Sequence, residues 1–117
     1  MLARKTAVYQ YEFADSDAPR PAGFPVPRTF PLGAYHGAEL SYLFDGLGAA
    51  IDTRPSSGQR RLADQMIGYW TNFAATGNPN GPGLPRWKPL TSNSANDVHT
   101  PGDVAAQHHC RYWATHS

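Results

Sequence analysis

The sequence predicts a mixed α/β segment: one strand, one long amphipathic helix and a large share of irregular chain. Three observations carry this. Tyr9, Tyr11 and Phe13 alternate with Gln10 and Glu12, the period of a half-buried strand. Leu62, Met66, Tyr69, Trp70 and Phe73 recur at helical spacing, so one apolar stripe runs along the stretch from about Ser57 to Ala75. Eleven Gly and eleven Pro among 117 residues, well above ordinary usage, break up most of the remainder. A lone strand presents two unpaired edges, and a helix with a broad aromatic face needs cover. The layout is that of a piece shaped to dock onto more protein.

Each element has its local reasons. Residues 6–13 are rich in β-branched and aromatic side chains and are read as the strand. From Ala14 to Pro31 five prolines, with Asp15 and Asp17 near the start, forbid a helix and predict a loop. Within Leu32 to Phe44, Gly33 and Gly37 favour a turn in the first half, and the second half suits a short helical turn. Ser56 and Gln59 stand at the spacing of a capping box and open the long helix. Gly77 closes it where the chain commonly turns left-handed, and Pro79 bars continuation. Asn78-Pro79-Asn80-Gly81 is a tight surface loop. The chain is then polar apart from Trp87, Leu90 and Val98 until a short apolar stretch, Val104 to Trp113, predicts one or two further helical turns.

Composition narrows the classes of function. The length allows one domain. A net charge of +1, with ten scattered Lys and Arg, provides no electrostatic footprint for nucleic acid or an anionic membrane. Cys110 is the only cysteine, which rules out an intrachain disulfide. No apolar run reaches the length of a membrane span, and residues 1–10 have no apolar core of a signal peptide. The compartment is therefore not legible, and cytoplasmic is the default expectation.

The segment Gly33-Ala34-Tyr35-His36-Gly37-Ala38-Glu39-Leu40-Ser41-Tyr42-Leu43-Phe44 resembles the histidine loop of the type B carboxylesterase and cholinesterase family, whose members have the α/β-hydrolase fold. Four further blocks resemble that family in the same order. They are Val8 to Phe13 as a late core strand, Gly68 to Ala74 with Thr76 to Asn80 as the C-terminal helix and its exit turn, Pro85-Arg86-Trp87, and His109 to Trp113 as a terminal aromatic segment. Joint occurrence of the five makes the resemblance specific. It implies that residues 1–117 are a C-terminal segment of a carboxylesterase-type α/β-hydrolase domain, with one late sheet strand, the histidine loop, the long helix and a loop-rich tail.

The resemblance also implies a chemistry, the hydrolysis of small carboxylic esters through a Ser-His-Glu/Asp triad. His36 matches the catalytic histidine, the base that activates the serine and then the acid that protonates the leaving alcohol. Imidazole suits both tasks because it titrates near neutrality. Gly33 and Gly37 would let the backbone turn tightly beside it. Glu39 is expected to be a buried support of the loop, held by hydrogen bonds. It is not read as the triad acid, because in this fold the acid precedes the histidine in the chain. No cofactor is implied, since the triad needs only protein groups and water.

The sequence departs from the family's full pattern in one decisive respect. It contains no G-x-S-x-G nucleophile elbow, and none of Ser16, Ser41, Ser56, Ser57, Ser92, Ser94 and Ser117 lies in a strand–turn–helix between glycines. The expectation is a fragment inactive alone, whose partner is a missing N-terminal half of the same fold. Two alternatives stay open. One is a self-sufficient small esterase that uses Ser41, Ser56 or Ser57. The other is a non-catalytic interaction module presenting Tyr69, Trp70 and Phe73. A metal site at His99, His108, His109 and Cys110 is disfavoured, because consecutive side chains diverge in helix and strand alike. In its place Cys110 is expected to act as a small buried hydrophobe.

Overall fold

The computed structural model describes residues 6–20, 22–23, 25, 29–44, 54–90, 98–99 and 104–116. In chain order its elements are β1 (Gln10–Tyr11), α1 (Leu40–Leu43), α2 (Ser57–Thr76), β2 (Val98–His99), α3 (Val104–Gln107) and α4 (Cys110–Ala114). They fall into two compact units, residues 15–85 and residues 1–14 with 86–117.

The first unit is built on α2. Ser56 sits at its N-cap in extended backbone, its Oγ accepting from the Gln59 amide at 3.1 Å while Gln59 Oε1 accepts from the Ser56 amide at 2.8 Å. The capping box expected from the sequence is thus complete. At the far end Gly77 takes φ 74 and donates to the Phe73 carbonyl at 2.8 Å, the left-handed stop that glycine adopts without steric penalty. The predicted stripe is buried unevenly. Met66 and Tyr69 are buried, Leu62 and Trp70 are half-buried, and Phe73 in the last turn is 48% exposed. α1 packs against α2, and Tyr42 is its buried residue.

The exit loop folds back along the helix that it leaves. The Tyr69 hydroxyl donates to the Pro85 carbonyl at 2.6 Å, Asn72 Nδ2 donates to the Pro79 carbonyl at 3.2 Å, and the Pro79 side chain is fully buried. Gly68 interrupts a strong helix former's position for the same reason. A Cβ there would stand 3.2 Å from both terminal carbons of Leu84, so glycine leaves room for that side chain. Asn78 Oδ1 accepts from the Asn80 amide at 3.0 Å, an Asx turn that holds the tip of the loop.

In the second unit β1 and β2 pair in parallel, with Gln10 opposite Val98 and Tyr11 opposite His99. The strand expected over residues 6–13 is therefore only two residues long. A strand exists as far as a neighbour pairs with it, and this neighbour, which lies in the stretch read as polar loop, supplies two residues. The alternation is still real. The rings of Tyr9 and Tyr11 both stand edge-on to buried Trp87, at 6.0 and 6.2 Å, and Trp87 Nε1 donates to the intervening Gln10 carbonyl at 3.1 Å. The Leu90 amide adds a bond to the Val8 carbonyl at 2.6 Å.

The terminal apolar stretch forms α3 and α4, as its pattern predicts. His109 links them with φ 52, a left-handed conformation unusual for a residue with a Cβ. His108 Nε2 lies 3.0 Å from Glu12 Oε1 in an exposed pair. Such a pair contributes little to stability. The side chains of His99 and Cys110 lie outside the described residues, and with them the expected burial of Cys110. Among the described residues no group of three or more His, Cys, Asp or Glu side chains is placed to hold a metal ion.

Candidate active site

His36 stands at the apex of two consecutive turns. Gly33 takes φ 59 and Gly37 φ 83, so the backbone enters the left-handed region three residues before the histidine and again immediately after it. The turns are closed by Tyr35 N to the Gly33 carbonyl at 3.0 Å, Ala38 N to the Tyr35 carbonyl at 3.0 Å and Leu40 N to the Gly37 carbonyl at 3.1 Å. A Cβ at Gly33 meets nothing within 4 Å, so the demand for glycine there is conformational and not steric. The outcome is an exposed imidazole on a loop whose next residue but one, Ala38, is 1% exposed.

Glu39 differs from its expected form. It is half-buried and forms the N-cap of α1 with no side-chain capping bond. Its backbone carbonyl accepts from the Tyr42 amide at 3.0 Å and the Leu43 amide at 3.2 Å, the first bonds of α1. Two of the alternative nucleophiles are occupied by the backbone. Ser41 Oγ donates to the Ala38 carbonyl at 3.0 Å, and Ser56 Oγ is the cap of α2. Ser16 and Ser57 are exposed, and Ser92, Ser94 and Ser117 lie outside the described residues.

A network not anticipated from the sequence lies beneath the loop. The Tyr42 hydroxyl donates to Asp15 Oδ2, Gln59 Nε2 donates to the same oxygen at 3.2 Å, and the Asp17 amide donates to Asp15 Oδ1 at 2.9 Å. Burial by itself would raise the Asp15 carboxyl, but the donors Tyr42, Asp17 and Gln59 outweigh it and hold the group below its ordinary 3.8. The Tyr42 phenol is pushed far up, first by burial and then by the adjacent Asp15 carboxylate, so it stays a neutral donor. The Tyr35 hydroxyl reaches the Pro19 carbonyl at 3.4 Å; burial raises that phenol and the Arg20 charge partly offsets the rise. Beside Asp15 the surface opens into a depression walled by Asp17, Arg54, Gln59 and Leu62. The sequence places Asp15 and Asp17 only in a proline-rich loop, and nothing local signals that Tyr42 and Gln59 meet there.

A sequence model of the carboxylesterase family matches residues 1–113. This chain belongs to the carboxylesterase family. Membership places it in the α/β-hydrolase fold class, although α2 dominates the described residues and the sheet is represented by two short strands. Among curated relatives, bovine carboxylesterase 4A is 43% identical over 81 residues, 68% of this chain and 13% of the relative. Human cocaine esterase is 35% identical over 83 residues, 71% of this chain and 14% of the relative. Chicken acetylcholinesterase is 36% identical over 69 residues, 58% of this chain and 9% of the relative. The chain thus spans a small part of the length of the carboxylesterases it matches.

Proposed function

We propose that this chain is the histidine-bearing portion of a carboxylic ester hydrolase and that His36 is its general base. The single observation that carries the reading is the family match across residues 1–113, because it aligns nearly the whole chain with the carboxylesterase family and not merely one loop. The local geometry supports it. The imidazole of His36 is exposed on a doubly turned loop and so is accessible to groups supplied by other chain segments.

In the proposed reaction His36 takes the proton of a serine hydroxyl as that oxygen attacks the ester carbonyl. It then gives the proton to the departing alcohol, and a water repeats the cycle on the acyl-enzyme. Serine and acid come from polypeptide outside these 117 residues, since no G-x-S-x-G occurs within them. Glu39 supports the loop and takes no part as triad acid. The substrate is a small carboxylic ester, and no cofactor is required. The self-sufficient reading is weakened by the backbone bonds that occupy Ser41 and Ser56.

The test is labelling by a fluorophosphonate, which reacts with activated serines, followed by intact-mass measurement. The 117-residue chain alone is expected to take no adduct. Grafted into bovine carboxylesterase 4A in place of the matching segment, it is expected to support labelling and ester hydrolysis. His36→Ala in that graft should lower turnover by about 10⁴-fold or more, because triad members act as a unit. A stoichiometric adduct on the isolated chain, lost in His36→Ala, would replace this reading with the self-sufficient esterase.

A further inference from the structure

Resting on the reading of His36 as the base, we propose that Asp15, Tyr42 and Gln59 are positioning residues for it: residues 15–19 form a strap that grips the His36 loop on both sides and is fastened to the start of α2. Tyr35, directly before His36, is held at its hydroxyl by the Pro19 carbonyl, and Tyr42, six residues after it, is held by the Asp15 carboxylate. The strap is itself seated, with Ala18 and Pro19 buried and Asp15 turned back on the Asp17 amide. Gln59 completes the device. Its Oε1 caps the Ser56 amide, while its Nε2 donates both to Asp15 Oδ2 at 3.2 Å and to the Asp17 carbonyl at 2.9 Å. One amide thus belongs to the helix cap and to the strap at once.

The arrangement answers a physical need. Two left-handed glycines beside an exposed histidine make a loop that would otherwise sample many conformations, whereas a general base must be held within about 0.5 Å of its working position. Burying Tyr42 would not require Asp15, since a phenylalanine ring would fill the same space. The carboxylate is demanded by the number of donors that converge on it. Its two oxygens accept from Tyr42, Gln59 and the Asp17 amide, and an asparagine offers only one acceptor oxygen.

The experiment is NMR on the full 117-residue chain, reading amide hydrogen exchange together with the ¹³C order parameter of the His36 imidazole. Tyr42→Phe keeps the buried ring and removes the donor. The Ala38 and Leu40 amides should then exchange about tenfold faster, the loss of one ordinary hydrogen bond. The His36 ring should lose order, while the Tyr69 to Phe73 amides of α2 keep their rates. Asp15→Asn should do the same, and the double variant should be no worse than either single change. Gly77→Ala, which weakens α2 at its other end, is the comparator. Unchanged His36 order in Tyr42→Phe, or equal loosening in Gly77→Ala, overturns the strap. Retained esterase activity in the His36→Ala graft overturns instead the base assignment on which the proposal rests.

Discussion

Asp15 shows how much one side chain decides here. Its folded carboxyl titrates below the ordinary 3.8, so between the two values the unfolded chain binds more protons than the folded one. The stabilisation is therefore present above the ordinary value and is lost as pH falls through the folded value. Urea midpoints taken between about pH 5 and about pH 2 should fall for the wild-type chain, and the fall should be smaller in Asp15→Asn. Tyr42 works in the opposite sense. Its raised phenol holds stability below 10.0 and surrenders it as pH rises beyond that value, which an ultraviolet titration of tyrosinate against unfolding would register. Neither effect is visible in the sequence, where Asp15 is one polar residue of a proline-rich loop. His36 is the contrary case: its glycines and its neighbours identify the loop, and both glycines adopt the left-handed backbone that the pattern requires.

At the level of elements, α2 was the most legible because its signals are local. Helical periodicity, a cap at Ser56 and a glycine stop all act within a turn or two of their own positions. Ser56→Ala should cost about 1 kcal/mol by removing one side of the capping box, measured by urea unfolding at the helical circular-dichroism band. Gly77→Ala should cost a similar amount, about 1 kcal/mol, through backbone strain alone, since a Cβ there meets nothing within 4 Å. Gly68→Ala has a different cause, the approach of a new methyl to Leu84. Its effect should be relieved by Leu84→Ala, a coupling absent between Gly77→Ala and Leu84→Ala. The strands were poorly legible. The alternation around β1 shows that a strand is there but not how far it pairs, and β2 lies in a stretch that composition marks as loop.

At the scale of the molecule the informative feature, among the described residues, is the set of large apolar side chains with substantial exposure. Phe73 is 48% exposed, Ile67 44% and Phe44 54%. Replacing an exposed side chain away from caps and networks changes stability by about 0.5 kcal/mol or less. Ile67→Ser should therefore leave the urea midpoint of the isolated chain almost unchanged while lowering its binding of a hydrophobic dye. In the carboxylesterase graft the same change should reduce the melting temperature, because under the proposed function further polypeptide covers that face. Equal destabilisation in both settings would mean that Ile67 is already packed.

Taken alone, the sequence determined the family, the long helix with both its ends, the turn that presents His36 and the absence of a nucleophile elbow within these residues. Each of these is written in residues close together in the chain, through periodicity, capping chemistry or the glycine requirement of a left-handed turn. Only the tertiary structure decided how long the strand runs and that Asp15, Tyr42 and Gln59 meet. Asp15 lies 27 residues from Tyr42 and 44 from Gln59, and nothing in a local pattern states which donor will reach which acceptor once the chain has folded.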